Sequence, residues 1–276
     1  MACFLPFFES APNFQHPPGL RCLNCSLPSG RVPDAWKMAN ITPLFKAGKD
    51  DRFSPASCGG ISLNAVLSKT LERVVKEQLV EQLELKQVLN DRQFGFRNRR
   101  STFQLLAVTA NDWLLARDQG QTTAVVFIDL SKAFDCVLHQ RLLVHLQSAG
   151  IAGTALRGSW FISYLSNRSQ RVVTQMNMSS YLPVSRGVPQ GSVLGPTLFN
   201  LTVAQLPRLA EKNESYLLMF ADDKTLYASH RDPAKAGETV TKALDLLGST
   251  LAIEGLSVNP IQIGCKLYHK PTLSVI

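Results

Sequence analysis

Acidic residues vanish from one long part of this chain: between Cys136 and Ala210 there is no Asp or Glu, although Arg141, Arg157, Arg168, Arg171, Arg186 and Arg208 all fall there. A merely solvated surface mixes both signs of charge, so a one-signed stretch of this length points to a wall facing a polyanion. Cysteine is also sparse. The six cysteines (Cys3, Cys22, Cys25, Cys58, Cys136 and Cys265) are scattered, which favours free intracellular thiols over a disulfide framework. Cys22 and Cys25 have the spacing of half a zinc site, but no second such pair and no paired histidines follow. No run approaches the eighteen or so apolar residues of a membrane span, so no membrane partner is expected. Met1 to Phe8 is apolar without a basic leader or a small-residue cleavage site, which argues against a secretory signal. Internal repeats and low-complexity linkers are absent as well.

What remains is the composition of a globular protein, with 45% apolar and 18% charged residues over 276 positions. That length allows one large domain or two small ones. A formal net charge of +8 suits a nucleic-acid partner without demanding one.

Residues 1–30, rich in proline and without periodicity, read as irregular. A basic, turn-rich stretch follows from Val32 through Lys46-Ala47-Gly48-Lys49 to Gly60. Leu67, Leu71, Val75, Leu79 and Leu83 share one face of a helix over about 64–89, and they read as core. Ser101 can cap the next helix, to about Arg117. Thr122 to Asp129 reads as a buried strand ending on an acid, and a helix over about 138–149 ends at Gly150. Gly158-Ser159 interrupts the pattern that follows, then two strands lead to a helix beginning near Pro196. Tyr216 to Ala221 and Thr225 to Ser229 flank Asp222-Asp223-Lys224, the pattern of a hairpin with acids at its tip. A last amphipathic helix covers about 234–254.

Acidic pairs in turns are common, and Phe220-Ala221-Asp222-Asp223 alone would be ordinary turn chemistry. A strand-end acid and a hairpin-tip pair can, however, share two Mg²⁺ ions, roughly 3.5–4 Å apart, which activate a hydroxyl and stabilise a leaving pyrophosphate. Gly187-Val188-Pro189-Gln190-Gly191, between the two acidic pieces, concentrates glycine and proline where a backbone must approach something closely.

Together, Phe127-Ile128-Asp129-Leu130-Ser131-Lys132-Ala133-Phe134-Asp135, the segment Gly187 to Pro196, and Phe220 to Asp223 resemble the reverse transcriptase domain of non-LTR (LINE-type) retrotransposons. Further pieces agree in order: Trp36-Lys37, Lys46 to Lys49, Ile61-Ser62-Leu63 with Ser68-Lys69 and Glu72, then Gln93-Phe94-Gly95-Phe96-Arg97 with Ser101-Thr102. The resemblance covers about residues 30–260 and implies an α+β fold, with right-hand polymerase fingers and a ferredoxin-like palm sheet packed by helices. Fingers are expected over 31–115 and a palm over 116–276, with a fingers portion inserted at about 137–186 and a thumb absent.

The implied reaction is RNA-directed DNA synthesis on a primer 3′-end with two Mg²⁺ ions, for which Mn²⁺ can substitute. By the resemblance, Asp129, Asp222 and Asp223 are the catalytic carboxylates, and the Leu130 carbonyl joins them as a metal ligand. Lys46, Lys49, Ser131, Lys132, Phe134, Gln190 and Gly191 would meet the incoming deoxynucleoside triphosphate, with Phe134 beneath its sugar to exclude a 2′-hydroxyl. Arg97, Arg99, Arg100, Phe220 and Ala221 would meet RNA template and DNA primer. Asp135, six residues beyond Asp129, suits helix entry or an ion pair better than metal. The resemblance also implies an intracellular location, in cytoplasmic ribonucleoprotein and the nucleus.

Some positions depart from the family. Cys58-Gly59-Gly60 replaces an aromatic residue followed by Arg-Pro, and glycine cannot supply that arginine's bidentate grip on a triphosphate. Gln262 stands where a lysine protonates pyrophosphate, Gly158-Ser159 looks inserted, and Ala204-Gln205 replaces Asn-Asp. These departures raise a rival reading, a catalytically impaired nucleic-acid-binding remnant. An RNA-dependent RNA polymerase of the same palm type is a second rival, against which Phe134 argues.

Overall fold

The computed structural model describes residues 18–45, 51, 54, 57–151, 155–259 and 264–268. The chain divides into two compact units, residues 1–86 with 134–198, and residues 87–133 with 199–276.

In the first unit, β1 (Met38–Phe45), β2 (Cys58–Leu63), β4 (Arg168–Val172) and β5 (Leu182–Val184) form a sheet in the order β2-β1-β4-β5. Only the β1–β4 pair is parallel. The same unit holds α1 (Pro18–Ser29), α2 (Val66–Leu85), α4 (Ala133–Cys136, at the unit boundary), α5 (His139–Ser148) and α6 (Ala155–Leu165), with α1 and α5 packed on α6. The expected apolar face of α2 is real: Leu71, Val75, Leu79 and Leu83 are buried and Leu67 is half-buried.

The second unit is built on a four-stranded antiparallel sheet in the order β6-β7-β3-β8. Its members are β3 (Thr122–Ile128), β6 (Tyr216–Phe220), β7 (Asp223–His230) and β8 (Gly264–Tyr268). In chain order this is a split β-α-β arrangement, the ferredoxin-like sheet expected of a palm. Central β3, Thr-Thr-Ala-Val-Val-Phe-Ile, is buried at all positions but Phe127, as β-branched residues with neighbours on both sides favour. α8 (Leu206–Glu211) packs on β6, and α9 (Pro233–Ile253) packs on β7 and β3. α3 (Thr102–Asp118) contacts β3, β6 and β7, and the cluster of Phe94, Val125, Leu218 and Tyr227 is closed by Leu105, Val108 and Trp113. α7 (Gly195–Thr202) begins one residue before Pro196. Ser101, expected to cap α3, completes a reciprocal capping box with Gln104, and Asp232 caps α9 ahead of Pro233.

Two expectations need correction. Residues 18–29 form α1 rather than irregular chain, because Leu23 and Leu27 are buried and the helix packs on α6. Pro18 opens that helix, where its missing N–H costs nothing. Helix α6 runs through Gly158-Ser159 without interruption. Residues 87–133 group with 199–276 in the second unit, where α3 packs on β3 and β6. β8 was not foreseen.

Candidate active site

Register brings the acids to one end of one sheet. β3 pairs with β7 from Thr122 opposite His230 to Ile128 opposite Lys224, so Asp129 leaves β3 where β7 begins at Asp223. β6 pairs Phe220 with Asp223, leaving Ala221-Asp222 as a two-residue turn. Ala221 takes φ +58°, a left-handed conformation that costs an L-residue about 1–2 kcal/mol. Partial desolvation first, then the charges of Asp222 and Asp129, raise the Asp223 pKa, while Lys224 opposes them. A carboxylate perturbed by burial and by two neighbouring carboxylates marks a candidate functional site.

The three acids are not closed into a ligand cage. Among the described residues, no group of three or more His, Cys, Asp or Glu is placed to hold an ion.

Three groups to which the sequence assigned no role at the site hold this end of the sheet. Asn259 donates its side-chain amide to Asp129 Oδ2 at 3.1 Å and its backbone N–H to the Asp129 carbonyl at 2.8 Å. Leu130 bridges to Val258, and the Ser131 N–H donates to the Ser257 carbonyl, so residues 257–259 line the acid-bearing turn. Lys224, 3% exposed, donates from Nζ to the Asp222 carbonyl and lies over the Phe199 ring. Burial lowers its pKa to about 8, against the pull of Asp222, Asp223 and Asp129. Gln93, 1% exposed, accepts from the Gly95 and Ala221 amides. Lysine beside an acid pair reads as an exposed turn residue, and only the alternation of β7 hints that it points inward.

The other candidates fall as follows. Ser131 is half-buried, and Lys132 is exposed at φ +47°. Phe134 is half-buried in α4, and its carbonyl accepts from the Val188 N–H at 2.8 Å. Gln190 donates to Asp135 Oδ1, and its carbonyl accepts from the Ser62 N–H at 2.9 Å. Gly187 and Gly191 have φ +88° and +93°, and a Cβ on either would lie 2.7 Å from a carbonyl oxygen, of Asp135 and Ser62 respectively. Those contacts explain why glycines punctuate this loop. Phe220 is half-buried and Ala221 buried. Arg97 turns inward with a side chain 6% exposed, donating to the Asn90 and Gln93 carbonyls. Arg100 pairs with Asp91 at 2.6 Å, whereas Arg99 is exposed. In the acid-free stretch, Arg168 is likewise internal, donating to the Tyr164 carbonyl with its guanidinium over that ring. Arg97 and Arg168 thus serve as internal structural cations. Lys46, Lys49 and Gln262 lie outside the described residues.

A split β-α-β sheet with an acid at one strand end and an acid pair in the adjoining hairpin turn is the architecture of a template-directed polymerase palm. Residues 49–263 match the reverse transcriptase (RNA-dependent DNA polymerase) family, and the chain belongs to it. It is 34% identical over 252 residues to a probable RNA-directed DNA polymerase from transposon BS of Drosophila melanogaster, covering 88% of this chain and 27% of that protein. A probable RNA-directed DNA polymerase from transposon X-element of the same fly is 34% identical over 196 residues, 69% of this chain and 21% of that protein. The RNA-directed DNA polymerase from the mobile element jockey of Drosophila melanogaster is 30% identical over 231 residues, covering 80% of this chain and 24% of that protein. The chain thus spans about a quarter of the length of these relatives. Among the described residues no helix is long and apolar enough to cross a membrane.

Proposed function

We propose that this chain carries the polymerising site of a retrotransposon reverse transcriptase, adding deoxynucleotides to a DNA primer 3′-end on an RNA template. The observation that carries the reading is the register setting Asp129 beside Asp222-Asp223 at one end of the β3–β7 pair. Asp129, Asp222, Asp223 and the Leu130 carbonyl would hold two Mg²⁺ ions, or Mn²⁺ in their place. Such ions, when bound, activate a 3′-hydroxyl and stabilise the leaving pyrophosphate. Asn259 orients the Asp129 carboxylate, and the Lys224 ammonium offsets the mutual repulsion of three acids before cations arrive. Phe134 excludes a 2′-hydroxyl, while Gln190 and Gly191 border the template–nucleotide pair. Lys46, Lys49, Ser131 and Lys132 contribute around the triphosphate. Arg99, Arg100, Phe220 and Ala221 border the nucleic acid; Arg97 shapes the loop that presents them. On this reading residues 31–86 with 134–198 act as fingers and the other unit as palm. Its RNA partner places such an enzyme in cytoplasmic ribonucleoprotein and, with target DNA, in the nucleus.

A second reading concerns rate. Gly59 lies in β2 opposite Leu44, where the resemblance calls for an arginine, and a glycine offers no side chain to a triphosphate. Losing that charge-assisted contact costs roughly 1.5–3 kcal/mol, about one to two decades in efficiency. Gln262 cannot donate a proton, a loss of roughly two to four further decades. Binding sums many phosphate contacts and survives such losses. The chain therefore binds an RNA–DNA hybrid with strong salt dependence while extending a primer slowly.

The test is primer extension on poly(rA)–oligo(dT) with Mg²⁺, beside an Asp222→Asn control and a Gly59→Arg/Gln262→Lys variant. Slow, Asp222-dependent extension that the double variant accelerates is expected. Failure to bind the hybrid at low salt sinks the reading, as does extension indifferent to Asp222.

A further inference from the structure

The turn that carries Asp222 is held from outside its own hairpin. Residues 92–95 run parallel to β6: the Met219 N–H donates to the Arg92 carbonyl and the Phe94 N–H to the Met219 carbonyl, each at 2.8 Å. This addition carries Gln93 to the point where β6 ends. There its Oε1 accepts from the Gly95 N–H at 2.9 Å and the Ala221 N–H at 3.3 Å. From the other side Asn200 Nδ2 donates to the Gly95 carbonyl at 2.8 Å. The approach is so close that a Cβ on Gly95 would sit 2.2 Å from the Ala221 nitrogen.

Gln93 Nε2 has no protein partner among the described residues, so the side chain is held through its acceptor oxygen. That oxygen bonds the amide of the one turn residue in a left-handed conformation, immediately before Asp222. An alanine at φ +58° needs outside support that a glycine would not. Lys224 fixes the next link by donating to the Asp222 carbonyl, so the backbone on both sides of the Asp222 side chain is tied down.

We propose that Gln93 is a positioning residue for the metal-binding acids. Together with the glycine contact at Gly95 and with Asn200, it latches the Ala221-Asp222 turn in its left-handed conformation and so sets the direction of the Asp222 carboxylate. The inference deepens the polymerase reading and rests on it for the identity of the cation. The effect of these residues passes through the turn.

The experiment compares the full chain with Gln93→Leu, which keeps the volume and removes the acceptor, and with Gln170→Leu as a control in the other unit. Amide hydrogen exchange of Ala221 and Gly95 is read by NMR without metal. Mn²⁺ affinity is read by electron paramagnetic resonance, with Asp222→Asn marking the specific site, and RNA–DNA hybrid affinity is read alongside. Gln93→Leu is expected to keep its circular dichroism spectrum and hybrid affinity, to exchange Ala221 about tenfold faster, and to weaken Mn²⁺ about tenfold, as loss of an outer-shell partner does. Loss of metal affinity with hybrid affinity intact is a split that general destabilisation does not produce. Should Gln93→Leu fail to fold, Asn200→Leu, which frees the Gly95 carbonyl, decides by the same readouts. Unchanged Ala221 exchange overturns the latch, and faster exchange with parent-like Mn²⁺ affinity overturns its positioning role. If the parent shows no Asp222-dependent Mn²⁺ binding, the metal reading falls, and the exchange measurement alone then decides whether the latch exists.

Discussion

Asn259 grips Asp129 twice, through its side-chain amide to Oδ2 at 3.1 Å and through its backbone N–H to the carbonyl at 2.8 Å. One bond orients the carboxylate and the other anchors the backbone that presents it. Outer-shell partners of metal-binding carboxylates are worth about 10–100-fold in affinity. On the polymerase reading, Asn259→Leu is therefore expected to weaken Asp222-dependent Mn²⁺ binding by about tenfold in a titration, while the thermal midpoint falls by only a few degrees. Parent-like metal affinity would remove Asn259 from the site.

Glu72 predicts a stability effect. It is 1% exposed, accepts from Ser68 Oγ at 2.9 Å, and receives the Val193 and Leu194 N–H groups at 2.8 and 3.2 Å. Glu72→Leu strands two buried backbone donors, each worth about 1–3 kcal/mol. A loss of about 3 kcal/mol in urea unfolding is expected. Glu72→Gln keeps an acceptor and should lose less than half of that.

Gly187→Ala tests the backbone contact between the Phe134–Val137 segment and the glycine loop. The new Cβ would meet the Asp135 carbonyl oxygen at 2.7 Å, and φ is +88°. Both the clash and the conformation oppose alanine, so a destabilisation of at least about 2 kcal/mol is expected in the same assay. A neutral outcome would mean the loop can move away freely.

His139 gives the pH dependence its sign. Burial first, and the Arg168 charge, lower its pKa below 6.5, while the hydrogen bond with the Gly187 carbonyl opposes them. A histidine with a depressed folded pKa binds its proton more readily when unfolded. Its contribution to stability is therefore complete above about pH 6.5 and is lost as pH falls from there toward the folded value. The unfolding midpoint should decline between pH 7 and 5.5, and His139→Gln should flatten that decline. An unchanged slope in the variant would assign it to other groups.

Phe134→Val tests sugar selection on the polymerase reading. Relief of a steric exclusion of this size is worth about tenfold or more in discrimination. Ribonucleotide incorporation should rise by that factor in the Gly59→Arg/Gln262→Lys background, with deoxynucleotide use retained. Equal ribonucleotide use before and after the change would make Phe134 plain core.

Local pattern carried much of this protein. Apolar, β-prone runs announced β3 and the β6–β7 hairpin, the leucine period announced α2, and Ser101 marked the start of α3, because each signal lies within a few residues of its effect. Asp129, Asp222 and Asp223 were legible as strand-end and turn acids for the same reason. The groups that hold them were not. Gln93 meets Ala221 across 128 positions, Asn259 meets Asp129 across 130, and Glu72 meets Val193 across 121. No local periodicity encodes a hydrogen bond over such separations. Nor does composition reveal that Lys224 is buried or that Arg97 and Arg168 turn inward; the packing around them decides it. The grouping of residues 87–115 with the palm-type sheet came from the face on which α3 buries its side chains, and α1 exists because Leu23 and Leu27 found a neighbour in α6. Sequence alone determined the family to which the chain belongs and the strand ends at which its acids stand. Tertiary packing decided which amides, carbonyls and buried charges aim them, since those partners become neighbours only once the sheets have formed.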